Sequence, residues 1–126
     1  MTRYLLDTHL IYWWMTNSVK LSKSTSKLVR SEMCSISVAS LWALQLKRAT
    51  GKLALPKSSL QAQFAQQGFS LLPITADHVE RAHELGGLRS DPFDKPVVAV
   101  ADFERMTLLT KDTRLLSLGL KHIHEA

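Results

Sequence analysis

Three aspartates stand where a carboxylate can do chemistry. Asp7 directly follows a strand-like run at 3–6, Asp112 follows the apolar run 107–110, and Asp94 stands at the entry of a helical stretch bearing Val97, Val98, Val100 and Ala101. In a parallel sheet all strand ends of one kind share an edge. Asp7 and Asp112 therefore meet if their strands are neighbours, and Asp94 reaches the same crevice from a helix N-terminus. Carboxylates that close raise one another's pKa unless a cation neutralises them. Oxygen donors with no His or Cys cluster suit Mg²⁺ or Mn²⁺. Such an ion acidifies a bound water and stabilises phosphoryl oxygens, which points to phosphodiester hydrolysis. Asp91 lies in the same turn as Asp94, while Thr8 and Thr110 offer hydroxyls beside the acids. A plainer reading stays open. Asp91-Pro92-Phe93-Asp94 also reads as an N-cap, a proline at N1 and an acid at N3, and Asp112 as the cap of a last short helix.

The elements that must position these acids follow from periodicity and caps. Strands are expected at 3–6, 33–36, 69–72 and 107–110. Helices are expected at 8–15, from Ser22 or Ser24 to about 32, at 38–50 behind Ser37, from Ser58 or Ser59 to 67, and at 76–85 behind Thr75. Gly51 takes the position after a helix end that favours glycine. In the helix at 76–85, Val79, Ala82 and Leu85 are expected inside, with Asp77, Glu80, Arg81 and Glu84 outside. The helix opened by Asp91 and Asp94, with Pro92 in its first turn, is apolar on too many sides to face water and must be interior. Strands alternating with helices predict a single α/β domain over 1–126, with a parallel sheet of four or five short strands and helices on both faces.

Sixteen basic residues against eleven acids give a formal charge of +5, which allows a polyanionic partner. Lys20, Lys23, Lys27 and Arg30 lie near helical spacing and Lys47, Arg48 and Lys52 form a second group. Either set is a grip on phosphates or simply a solvated face. No apolar run approaches the ~20 residues of a membrane span, so a cytoplasmic protein is expected. The lone Cys34 reads as a buried structural thiol. Trp13 and Trp14, with Tyr12, cannot all face one core, because helix neighbours point about 100° apart, so part of this surface is expected to meet a partner. His9 reads as a structural imidazole, His78 and His83 as riders on an exposed helix, and His122 and His124 as tail residues without an acid partner.

Four segments, LLDTHLIYWW (5–14), SLWALQLKRATGKL (40–53), SDPFDKPVVAVA (90–101) and LLTKD (108–112), run in order along nearly the whole chain. Together they resemble the PIN-domain ribonucleases, and most closely the VapC-type toxins of bacterial toxin-antitoxin pairs. The resemblance implies a metal-dependent endoribonuclease, usually dimeric, with acids that bind Mg²⁺ or Mn²⁺ and a small VapB-type antitoxin that covers the site. Position by position, the family's first acid falls on Asp7, its third on Asp94 and its fourth on Asp112, with Asp91 as a supporting or alternative acid. The family's second acid is a glutamate after the tryptophan of S-x-W-E-I-x-I-K. Here that position is Ala43, although Ser40, Trp42, Leu44, Lys47, Gly51, Lys52 and Leu53 keep the surrounding pattern. Gln45 projects roughly 200° away around the helix and does not replace it.

Two classes of function follow. One is a nuclease toxin weakened or inactivated at position 43. The other is a catalytically dead domain of the same fold that only binds RNA or a protein. A phosphoacceptor receiver domain is a third possibility, set aside because it needs paired acids near the N-terminus, where only Asp7 is found.

Overall fold

Short apolar runs alternate with capped helices, and the chain folds as β1 (Tyr4–Leu6), α1 (Thr8–Met15), α2 (Lys23–Ser31), β2 (Cys34–Ser37), α3 (Val38–Ala49), α4 (Leu60–Gln66), β3 (Ser70–Leu72), α5 (Ala76–Leu85), α6 (Asp94–Glu104), β4 (Thr107–Thr110), α7 (Thr113–Leu116) and β5 (Ile123–Glu125). The computed structural model describes residues 3–85 and 92–126, so the expected site residue Asp91 lies outside the described residues. The strands form one parallel sheet in the order β3-β2-β1-β4-β5. This order also differs from the 2-1-3-4-5 winding of receiver domains. The fifth strand, in the tail, was not among the strands expected individually. Three residues with one buried apolar side chain, Ile123, give too little alternation to be seen.

Successive strand residues face opposite sides, and the two cores follow that alternation. Leu6 and Leu109 point into one cluster with Leu10, Ile11, Ile36, Leu44, Leu60 and Phe64. Leu5 and Leu108 point into the other with Val97, Val98, Val100, Ala101 and Leu115. Residues 97–101 of α6 are fully buried, so the expected interior helix is interior. Its start differs from expectation. Asp94 is the first helical residue and Phe93 the cap, without a capping side chain; Pro96 rather than Pro92 occupies the first turn, where a missing N–H costs nothing.

Helix α5 shows a second difference. Val79 is 61% exposed, and the buried side chain is His78, at 3%. His78 Nδ1 accepts the Thr75 N–H at 3.0 Å, and Nε2 lies 2.8 Å from Glu104 Oε2 on α6. A polar side chain satisfied at both ring nitrogens thus takes the place that hydrophobicity alone assigned to valine. Arg81 reaches Asp102 at 2.8 Å, so α5 and α6 are joined by two charged contacts. Among the described residues no helix is long and apolar enough to cross a membrane.

Ser37 ends β2 and caps α3, its buried hydroxyl accepting the Ala39 N–H at 3.0 Å. Ser37→Ala is expected to cost about 1 kcal/mol or somewhat more, seen as a lower urea midpoint at unchanged slope.

Candidate active site

From β1 the chain winds one way, to β2 and β3, and from β4 the other way, to β5. A crevice opens at the carboxyl ends of strands where winding reverses, here between β1 and β4. Leu6 pairs with Leu109, and the Asp7 N–H donates to the Leu109 carbonyl at 3.0 Å, so Asp7 leaves the sheet beside Thr110. Its carboxylate is 3% exposed and used on both sides: Oδ1 accepts the Thr8 N–H at 2.8 Å, capping α1, and Oδ2 accepts the Thr110 hydroxyl at 2.6 Å. Thr110 Oγ1 in turn accepts the Asp112 N–H at 2.9 Å. Burial pushes the Asp7 carboxyl above its ordinary value, against the hydrogen bonds from Thr110 and Thr8 and the charge of His9; Asp112 adds to the rise.

Asp112 caps α7 by accepting the Arg114 N–H at 2.8 Å, as the plainer reading anticipated. It also has a partner that the sequence reading passed over. Arg114 Nη2 lies 2.9 Å from Asp112 Oδ2 and 3.8 Å from Asp94 Oδ2, so one guanidinium spans both carboxylates. Its hydrogen bonding holds the Asp112 carboxyl below the ordinary range. Asp94 is not turned to solvent: its side chain is 14% exposed. The signal was available, because a basic residue in the first turn of a helix opposes the helix dipole unless acids surround it. The acids are linked in series, Asp7 to Asp112 through Thr110 and Asp112 to Asp94 through Arg114. Among the described residues no three His, Cys, Asp or Glu side chains stand close enough to hold a metal.

Position 43 belongs to the same region. Ser40 Oγ accepts the Thr8 hydroxyl at 2.9 Å, and the Trp42 ring meets Phe93, next to Asp94, at 5.7 Å between centroids. Ala43 is 1% exposed, one turn along the α3 face that begins at Ser40. A side chain there is buried. Gln45 accepts a hydrogen bond from Arg48 instead.

The other singled-out residues separate into used and unused. Trp14 is occupied internally: its indole N–H donates to Gln67 at 3.1 Å, its ring meets Phe69 edge-on at 6.0 Å, and Arg30 lies over it at 5.7 Å. Trp13 lines two cavities, one on either side of it. His9 is exposed, 6.0 Å from the Trp13 ring, and is not the structural imidazole expected. His122 has an acid neighbour after all, Asp102, at 3.5 Å, reached because β5 brings the tail alongside β4. Arg48 donates to the carbonyls of Pro56 and Ser58, which makes it a tie for a loop. Cys34 is buried, as expected, and its thiol is pushed up to about 11, first by burial.

The PIN domain family model matches residues 4–120 of this chain. Ribonuclease VapC22 of Mycobacterium tuberculosis is 31% identical over 124 residues, covering 93% of this chain and 92% of that protein. Among solved structures, DNA-bound VapBC from Salmonella typhimurium superimposes with a TM-score of 0.72 at 16% identity, covering 99% of this chain and 98% of that one. VapBC2 from Rickettsia felis, bound to a promoter DNA fragment, gives 0.69 at 17% identity and 98% coverage of both chains.

Asp7 yields a pH prediction. Its folded pKa lies above the unfolded value, so the folded chain binds the proton more tightly. Stability then falls as pH rises from the ordinary carboxylate value through the raised folded one. Asparagine keeps the cap without the charge, and the Thr110 hydroxyl can accept as well as donate. Asp7→Asn should melt roughly 2–5 °C higher than the parent at neutral pH, in EDTA, with the gap closing at acid pH in thermal scans.

Proposed function

This chain belongs to the VapC group of the PIN-domain family, and from that premise we propose that it is a cytoplasmic ribonuclease toxin whose acidic crevice hydrolyses RNA with Mg²⁺ or Mn²⁺, weakened by Ala43. The observation that carries the reading is the position of Asp7 and Asp112 at the carboxyl ends of neighbouring central strands, with Asp94 facing Asp112 across one guanidinium. The donor set fits a hard cation in chemistry. It consists of carboxylates and hydroxyls, and the Asp94–Asp112 pair already draws in a positive group. Asp7, Asp94 and Asp112 would hold the ion once Arg114 gives way and the carboxylates draw together, since as they stand no three acids among the described residues are near enough.

When bound, a divalent cation supplies charge against the phosphoryl oxygens and acidifies a water. The chain's own groups do the positioning. Thr110 fixes both Asp7 Oδ2 and the Asp112 main chain, so the two strand ends keep one geometry. Arg114, beside both acids, is placed to meet the negative charge of the phosphate. Position 43 lacks the carboxylate that would complete the set, and such positioning groups each carry several kcal/mol of a barrier.

The partner is a VapB-type antitoxin, and the working oligomer a homodimer. Its inhibitory segment lies across Tyr12, Trp13 and Trp14 and sends a basic side chain into the acidic crevice, where it takes the role that Arg114 plays alone. The likeness to solved VapBC complexes supports a partner of this kind. A second reading, an RNA- or protein-binding module without catalysis, is supported by Ala43 and the basic balance of the chain, and by the lack, among the described residues, of three acids close enough to hold a metal.

Ala43→Glu decides between them. Cleavage should rise on the order of a hundredfold or more, be abolished by EDTA, and make expression toxic without the antitoxin. The added buried acid should also lower the melting temperature in EDTA and recover it with Mg²⁺. Folded Ala43→Glu protein that stays inert on structured and single-stranded RNAs, with no Mg²⁺ effect on melting, would establish the binding-only reading.

A further inference from the structure

The acidic crevice continues past Asp112 into a cavity of about 450 Å³ walled by Tyr12 and Trp13 of α1 and rimmed by Lys20 and Lys111. Building on the nuclease reading, we infer that this cavity is the subsite for one unpaired nucleotide of single-stranded RNA flanking the cleaved phosphate, its base against Tyr12 and Trp13 and its neighbouring phosphate held by Lys20 and Lys111.

The size lies within the roughly 300–1,000 Å³ of ligand pockets. The wall suits a base. Tyr12 and Trp13 are half-buried and packed against the first core cluster, so little rotamer freedom remains to be lost on stacking. His9, one turn before Trp13, extends the ring surface. The rim suits a phosphate. Lys20 is exposed, and Lys111 has a long surface contact, 3.9 Å, to Glu125, which solvent screens. Asp112 also lines the cavity, but its charge is answered by Arg114. An RNA strand meets opposite charge at this rim, and the proposed antitoxin segment, covering the same Tyr12 and Trp13 surface, would compete with the strand for it. Only an unpaired base offers a free face to stack, so duplex RNA is excluded from the subsite.

The test is fluorescence anisotropy with labelled ten-nucleotide oligouridylate and oligoadenylate, single-stranded or annealed, on the full chain in EDTA. The parent should bind single strands in preference to duplex. Trp13→Ala should weaken binding roughly 5- to 100-fold, as for loss of one stacked base, with little change in salt dependence. Lys20→Gln should reduce the slope of log affinity against log salt by about 0.7, as for one lost phosphate contact. Lys20 is exposed, so this variant keeps the test valid should Trp13→Ala fail to fold. Photocrosslinks from 5-bromouridine should map to Tyr12 or Trp13. Folded variants that bind RNA like the parent, or a Trp13→Ala that loses only antitoxin binding, overturn the subsite. If Ala43→Glu nevertheless cleaves RNA, the nuclease reading survives that failure; if the parent binds no RNA and Ala43→Glu is inert, both fall.

Discussion

The site depends on the hydroxyl of Thr110. It is fully buried, donates to Asp7 Oδ2 and accepts the Asp112 N–H, so it joins the ends of β1 and β4 where the sheet reverses its winding. A buried carboxylate without such a donor would be destabilising, and two acids on adjacent strand ends would spread apart. Through this hydroxyl the backbone register of the sheet, Leu6 against Leu109, becomes the geometry of the acids.

The electrostatics then follow from what each acid is given. Among the described residues Asp7 has hydrogen bonds but no ion pair, and burial dominates, so its carboxyl resists ionising. Asp112 has Arg114 and ionises readily. On the proposed nuclease reading, a divalent ion near Asp7 would supply what Arg114 already gives Asp112, and the arginine would compete with that ion for the Asp94–Asp112 pair. A basic side chain from an antitoxin would suit the crevice by the same logic.

Ala43 changes that balance. A glutamate there would add a buried charge to a crevice with one arginine. Alanine, with the best helix propensity, relieves the crowding. The face that presents it is preserved from Ser40, whose hydroxyl meets Thr8. On the proposed reading, the scaffold around position 43 is kept while the acid is not, which would separate fold from activity in this chain.

The sequence by itself determined the alternation of strands and helices as far as β4, the caps at Ser37 and Asp112 and the interior character of α6, because each is set by local spacing. Tertiary structure decided the rest. That β1 and β4 are neighbours is a pairing over about a hundred residues of chain, which no local pattern encodes. That His78 is inside and Val79 outside depends on Glu104 waiting on another helix to satisfy the ring. The guanidinium of Arg114 finds two acids only because α6 and α7 arrive at the same edge, and β5 is a strand only because β4 offers it hydrogen bonds. Such choices turn on which partner lies across the fold, and a linear reading has no access to that.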